Sequence, residues 1–424
     1  MTRSENPTPA EPQGDHLPIL DRPGGGLPVI VDTPEAFDRA VSTLAGGSGP
    51  LAVDTERAQS FRYSSRAYLI QLRRAGAGTL LIDPIALQTG PEPADLSELV
   101  RALGDTEWII HAATQDLPCL AEVGLVPGLL FDTELAGRLL GYPRVALAAL
   151  VEQFFGLRLL KAFSAADWSM RPLPDDQIAY AALDVELLIE LREALAAELK
   201  AAERDEWARQ EFACLAAHAL TPPPPPSSDR WRRTHGLHGV RTRRGLAVVR
   251  ELWRTRDEIA AARDLAPGKV LPDAAIVQAG QAAENEPARP VRLGAIEGFH
   301  RRHARTYKDQ WQAAIAAAAA SPPSSWPALR APHDGTPPPR TWRTAHPRAW
   351  ARWEQWRAVV RELAESLGVP AENLLSPQML RDLAWAPPAN PDGVAAFLAA
   401  AGARPWQCDL VAPALTTAMA QTAR

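Results

Sequence analysis

Short apolar runs alternating with helical patterns mark the first half of the chain as α/β, while the second half reads as helical throughout. Leu27 to Val31, Leu51 to Val53, Ala67 to Leu72 and Thr79 to Ile82 are apolar runs bounded by turn-forming residues, which predicts strands. The short separations among the last three predict an antiparallel meander. Thr33-Pro34 predicts a helix start, with Thr as the cap and Pro at the first helical position. Trp108-Ile109-Ile110 reads as one more strand, and Thr114 as the cap of the helix after it. From Pro174 to about Leu199, the apolar positions Ile178, Ala182, Val185, Leu188 and Ile189 predict one long amphipathic helix.

The second half carries a faint repeat. A helix over Leu246 to Ala262 leads to Asp264-Leu265-Ala266-Pro267-Gly268 and then Val270-Leu271-Pro272. A helix over Trp353 to Leu367 leads to Gly368-Val369-Pro370 and then Leu374-Leu375-Ser376-Pro377. Each reads as helix, turn, apolar pair and a Pro suited to starting the next helix, so two copies of one small module are expected. Trp350, Trp353 and Trp356 fall at helical spacing and are expected in a core rather than on a base-stacking surface.

Proline sets the expected boundaries. Pro222 to Pro226 are consecutive, and a second proline-rich stretch runs from Ser321 to Pro339. Such runs interrupt helices and favour extended spacers. The expected organisation is a disordered extension over 1–27, an α/β domain over 28–220 and a linker over 221–229. A helical domain over 230–320, a linker over 321–340 and a second helical domain over 341–424 follow.

Net charge is −5, but it is unevenly spread. Residues 229–320 hold 17 Lys/Arg against 10 Asp/Glu, bunched at Arg230 to Arg233, Arg241 to Arg244 and Arg301 to Lys308. That excess is either a solvated surface or a phosphate-contacting face. The 3 cysteines, Cys119, Cys214 and Cys408, form no CxxC, which argues against a disulfide framework or a zinc site and fits a reducing cytoplasm. No signal-peptide core and no run of 18 apolar residues occurs, so no membrane partner is expected. The absence of GxxxxGK[ST] argues against a nucleoside triphosphate as ligand.

Asp54-Thr55-Glu56 ends the strand Leu51 to Val53, and side chains at i and i+2 of a strand share a face. Two acids aimed at one spot repel unless a cation joins them. Asp116 sits where the strand Trp108 to Ile110 gives way to a helix, a favourable place for any Asp. Tyr180 and Asp184, four residues apart, share one helical face. Each feature alone has an ordinary structural explanation. Their conjunction, in this order, is what carries chemistry.

The set resembles the DEDD exonuclease superfamily, in its Tyr-containing subgroup, and is most similar to the ribonuclease D family. The resemblance covers about residues 28–200. It rests on Leu51-Ala52-Val53-Asp54-Thr55-Glu56, His111-Ala112-Ala113-Thr114-Gln115-Asp116-Leu117, Phe131-Asp132-Thr133 and Asp167-Trp168-Ser169-Met170-Arg171-Pro172-Leu173. The last of these leads into Tyr180-Ala181-Ala182-Leu183-Asp184-Val185. The second body resembles the HRDC module, and the third a degenerate second copy of it. The resemblance implies a ribonuclease H-like domain, a mixed sheet flanked by helices, followed by two small all-α HRDC-like domains.

It also implies a 3′→5′ exoribonuclease that releases nucleoside 5′-monophosphates from RNA with a free 3′ end, single-stranded or tRNA-like. The implied cofactors are two divalent metal ions, and an all-carboxylate donor set suits Mg²⁺ or Mn²⁺. Asp54 would bridge them, Glu56 and Asp184 would hold the ion on the side of the attacking water, and Asp116 would act on the leaving-group side. Tyr180 would orient that water or take its proton. Thr55, Arg57 and Lys161 are candidate substrate contacts, and His111 is expected to pack at a strand end rather than act as a base. Two other readings stand beside this one: a DNA exonuclease of the same superfamily, and an inactive nucleic-acid-binding scaffold.

Overall fold

Strand β3 (Ser48–Arg57) is the centre of the molecule because its apolar half can be covered on both faces. Leu51, Ala52 and Val53 have no solvent exposure. The computed structural model describes residues 17–160, 163, 165–221, 227–285, 291–330 and 335–422. Its other strands are β1 (Ile19–Leu20), β2 (Ile30–Val31), β4 (Ala67–Ala75), β5 (Gly78–Ile82), β6 (Glu107–Ile110), β7 (Leu129–Asp132) and β8 (Arg158–Leu159). The main sheet has the order β2-β5-β4-β3-β6-β7. Its β3-β4-β5 core is the antiparallel meander read from the sequence, and β2, β6 and β7 add in parallel.

The helices around this sheet are α1 (Pro34–Ala45), α2 (Ser97–Leu103), α3 (Leu117–Glu122), α4 (Thr133–Leu139) and α5 (Leu147–Phe155). Then come α6 (Asp175–Glu186), α7 (Leu188–Ala201) and α8 (Asp205–Ala219). Thr33 caps α1 as expected, its side chain accepting from the Ala36 N–H. The single helix expected over 174–199 is two helices that break at Leu187. Good helix formers on both sides hide such a break from periodicity. Packing decides it: α6 lies across β3, β4 and β5, while α7 turns toward α4, α5 and α8.

The segment 1–27 is not all without structure. Ile19–Leu20 pairs in parallel with Arg158–Leu159, and the Gly24 N–H donates to Glu186. Two apolar residues too short to register as a strand by themselves are held by a partner about 140 residues away in the chain.

Beyond α8 the described structure is helical: α9 (Arg243–Arg263), α10 (Pro267–Val270), α11 (Asp273–Asn285), α12 (Arg302–Thr306) and α13 (Lys308–Ala320). The third body holds α14 (Trp342–Ala345), α15 (Pro347–Leu367), α16 (Ala371–Leu374), α17 (Pro377–Trp385), α18 (Val394–Ala400) and α19 (Pro405–Thr422). The repeat is real and keeps register. α9 and α15 each have 21 residues and each end in a left-handed residue, Asp264 or Gly368. Each is followed by a four-residue helix and one extended residue, Leu271 or Leu375. Trp353 and Trp356 are buried, as their spacing predicts.

The bodies are not beads on spacers. One apolar core runs from the sheet through Phe212 of α8 into Trp342, Trp356 and Leu415 of the third body. Trp207 stacks on Trp406 at 4.7 Å, and Arg404 bonds Glu211. Arg204 donates to the Leu367 carbonyl. The middle module keeps its own core around Trp231, Leu252 and Trp311. Residues 321–330, expected as spacer, pack on it. The Trp326 indole donates to Ser321, and Arg243 and Arg250 donate to carbonyls of this stretch. The run Pro222–Pro226 lies outside the described residues.

Candidate active site

Strand β6 pairs with β3 only as far as Val53, so the sheet opens on that side where the acids begin. Asp54 and Glu56 emerge there on one face. Asp184 comes down from α6, and carboxylate oxygens of these three residues lie within 4.8 Å of one another. Asp116 is buried nearby at the head of α3 and faces the same cluster. Tyr180, one turn before Asp184, is half-buried and packs edge-on against Phe163 and close to Trp168.

The expected cap at Thr114 is not formed. Ala113–Gln115 is a 3₁₀ turn, and Asp116 occupies the cap position of α3 without capping it through its side chain. Its carboxylate is used elsewhere: Thr55 Oγ1 donates to Asp116 Oδ1 at 2.6 Å. Thr55 points away from Asp54 and Glu56, as strand alternation requires, and that direction leads to Asp116. Arg57 donates to the Gln115 carbonyl at 2.8 Å and stands 3.7 Å from Asp116. Thr55 and Arg57 thus hold Asp116 in place. Lys161 lies outside the described residues.

A residue to which sequence reasoning gave no role sits behind this turn. Asp132 is buried and accepts from the N–H groups of Ala112, Ala113, Glu134 and Leu135 at 2.8–3.1 Å. Ala112 is left-handed, φ 58°, a backbone state that costs an alanine energy unless its surroundings impose it. Asp132 imposes it and so aims the chain toward Asp116. The signal in the sequence was an Asp at a strand end followed by Thr, which also reads as an ordinary helix cap. His111 behaves as expected: burial holds its imidazole neutral, with a pKa lowered to about 4, and Nδ1 pairs with Thr133 Oγ1.

Burial and mutual repulsion push every acid of the cluster upward. Glu56 rises to about 9, from burial first and then the charges of Asp184 and Asp116. Asp184 rises to about 7 through burial and Asp116. Asp116 rises only to about 6, because Thr55 and Arg57 oppose the burial. Asp54 is raised by burial and by all three neighbours. Carboxylates this crowded are stable as anions only with cations between them. The donor set is all oxygen, which suits a hard divalent ion. A small cleft of about 160 Å³, lined by Thr55 to Phe61 with Ala165 and Ala166, opens beside Glu56.

A mixed sheet carrying four clustered acids and a Tyr defines a metal-dependent 3′→5′ exonuclease of the DEDD class, and residues 28–200 match the family model described as 3′-5′ exonuclease. Residues 245–315 match the HRDC domain and 335–419 a 3′ to 5′ exonuclease C-terminal domain. The chain belongs to the ribonuclease D family. It is 32% identical to the ribonuclease D of Nitrobacter hamburgensis over 297 residues, covering 68% of this chain and 73% of that protein. It is 31% identical to that of Pseudomonas paraeruginosa, covering 78% and 83%. Among solved structures, a protein from Bifidobacterium adolescentis superposes with a TM-score of 0.85 at 38% identity, covering 95% of this chain and 100% of that one. Escherichia coli RNase D, at 23% identity, shares the fold with a TM-score of 0.65 over 93% and 99%.

Proposed function

We propose that Asp54, Glu56, Asp116, Asp184 and Tyr180 carry out hydrolysis of the terminal phosphodiester of RNA, releasing nucleoside 5′-monophosphates from a free 3′ end. The chain acts as a 3′→5′ exoribonuclease, as membership of its family entails. The observation that supports the assignment of residues is the convergence of three carboxylates within 4.8 Å, with Asp116 beside them. The proposed cofactors are two divalent ions, Mg²⁺ or Mn²⁺. When bound, they supply an activated water and stabilise charge on the attacking and leaving oxygens.

Asp54, central to the cluster, is the residue placed to be shared between them. Glu56 and Asp184 hold the side of the attacking water, and Asp116, braced by Thr55 and Arg57, the leaving-group side. The Tyr180 phenol is pushed well above its ordinary pKa by burial and by Asp184, Glu56 and Asp54. It therefore stays protonated at neutral pH, and its role is to orient the water through its hydroxyl rather than to remove a proton. The proposed setting is the cytoplasm, in 3′-end processing or turnover of tRNA and other stable RNA. Among the described residues no helix is long and apolar enough to cross a membrane.

The test is a time course on 5′-labelled single-stranded RNA and its DNA twin, with Mg²⁺ or Mn²⁺ and then EDTA. Stepwise shortening of the RNA that EDTA stops is the expected result. Asp54→Asn should nearly abolish it. Normal turnover in that variant would overturn the assignment of the acids, and equal degradation of the DNA would favour the broader nuclease reading.

A further inference from the structure

Gln71 lies in β4 directly across from Asp54 of β3. Residues opposite each other in an antiparallel pair point to the same face with their Cβ atoms about 5 Å apart. That face is the one α6 covers. Arg73, two residues on, reaches Glu186 of α6 at 3.1 Å, and Leu69, two residues back, packs in one small core with Ala181 of α6. Gln71 is fully buried, and neither its amide oxygen nor its amide nitrogen has a hydrogen-bond partner. Leu69 and Leu81 flank it on the sheet. An amide that gives up water and bonds to nothing opposes folding, and a Met of similar shape would avoid the penalty.

We infer that Gln71 is a positioning residue for the metal-loaded site, its amide N–H donating to Asp54 when that carboxylate is ionised by bound divalent cations. This rests on the function proposed above. In the metal-free cluster Asp54 sits among three other acids and is raised toward its protonated form, so it makes a poor acceptor. Cation binding turns it into a full carboxylate. A carboxylate ligand uses some of its lone pairs on the metal and leaves others to be fixed by a donor behind it. Among the residues on that face of β4, Gln71 is the donor opposite Asp54, since Arg73 is engaged by Glu186. The orphaned amide is thus matched to the loaded state, and this link stiffens the ligand central to the cluster.

The experiment is calorimetric titration of Mn²⁺ into chelator-stripped full-length protein, with thermal melts of the same samples. Gln71→Met keeps the volume and removes the amide, and Gln71→Leu serves as a second substitution. The metal-free melting temperature should hold or rise, while Mn²⁺ binding weakens roughly 10–100-fold, the usual loss when a residue supporting a metal ligand is removed. Unchanged Mn²⁺ affinity would overturn the role of Gln71 while leaving the nuclease reading intact. Failure of both variants to fold would also overturn it, because the amide would then be serving the metal-free fold. No Mn²⁺ binding by the unaltered protein would instead sink the metal site itself, and this inference with it.

Discussion

Replacing Asp184 by Asn should make the metal-free protein more stable at neutral pH while abolishing its activity. Asp184, Asp54 and Glu56 crowd within 4.8 Å, and the folded-state pKa of Asp184 is raised to about 7 and that of Glu56 to about 9. In the unfolded chain such groups release their protons near pH 4. Between pH 4 and 7 for Asp184, and 4 and 9 for Glu56, the folded protein therefore keeps a proton that the unfolded chain has lost. Stability is greatest below the unfolded value and falls as pH rises through this window, by up to about 1.4 kcal/mol per pH unit for each group. From pH 5 to 7 one such group costs up to about 3 kcal/mol. Asn keeps the shape and removes that share, and it also relieves Glu56. At about 2–4 °C per kcal/mol, the variant should melt up to roughly 6–12 °C above the parent at pH 7 in EDTA. Melts at pH 5, 6, 7 and 8 would show the parent falling steeply and the variant less so. Mn²⁺ should restore the parent at pH 7 and help the variant little. A flat profile for the parent in EDTA, or a variant less stable than the parent at pH 7, would refute the argument.

Three further outcomes can be checked. Tyr180→Phe should lower the rate by roughly 10²–10⁴, the range for a group that handles the reacting water, with little change in RNA affinity; an unchanged rate in single-turnover kinetics would make Tyr180 a packing residue. Asp264 ends α9 and also accepts from the Tyr63 and Ser64 N–H groups and the Tyr68 hydroxyl of the nuclease domain. Asp264→Gly keeps the left-handed helix end but removes the clamp, so proteolysis within residues 58–66 should quicken while the middle module stays folded; unchanged cleavage would show the clamp to be idle. A fragment ending at Ala219 keeps every catalytic position but loses the 17 Lys/Arg of residues 229–320. On long RNA the full chain should show the steeper salt dependence, by about 0.7 in log–log slope for each phosphate contact, and equal slopes would show that the middle module does not touch phosphate.

Much of this was legible in the sequence because the chemistry sits on regular elements. The i, i+2 rule placed Asp54 and Glu56 together, and the i, i+4 rule aligned Tyr180 with Asp184. What stayed hidden depends on contacts between segments far apart in the chain. No local pattern shows that Thr55, facing away from the metal ligands, meets Asp116, or that Asp132 holds Ala112 left-handed. The break at Leu187 is invisible to periodicity because both flanks favour helix. The boundaries drawn at proline runs suffered in the same way. Proline stops a helix, but it does not keep Trp326 from packing back on the module it follows, nor the third body from closing on α8.

The shared core of nuclease and third body has a consequence for synthesis. The middle module, with a core of its own, is spliced into a larger folding unit whose two parts lie on either side of it in the chain. Trp207 leaves the ribosome about 200 residues before Trp406, the ring that stacks on it. At roughly 5–20 residues per second, the apolar face of α8 stays uncovered for about 10–40 s. The nascent nuclease is therefore aggregation-prone during that interval, while the middle module can already fold, and only the last helices bring the first domain to its finished state.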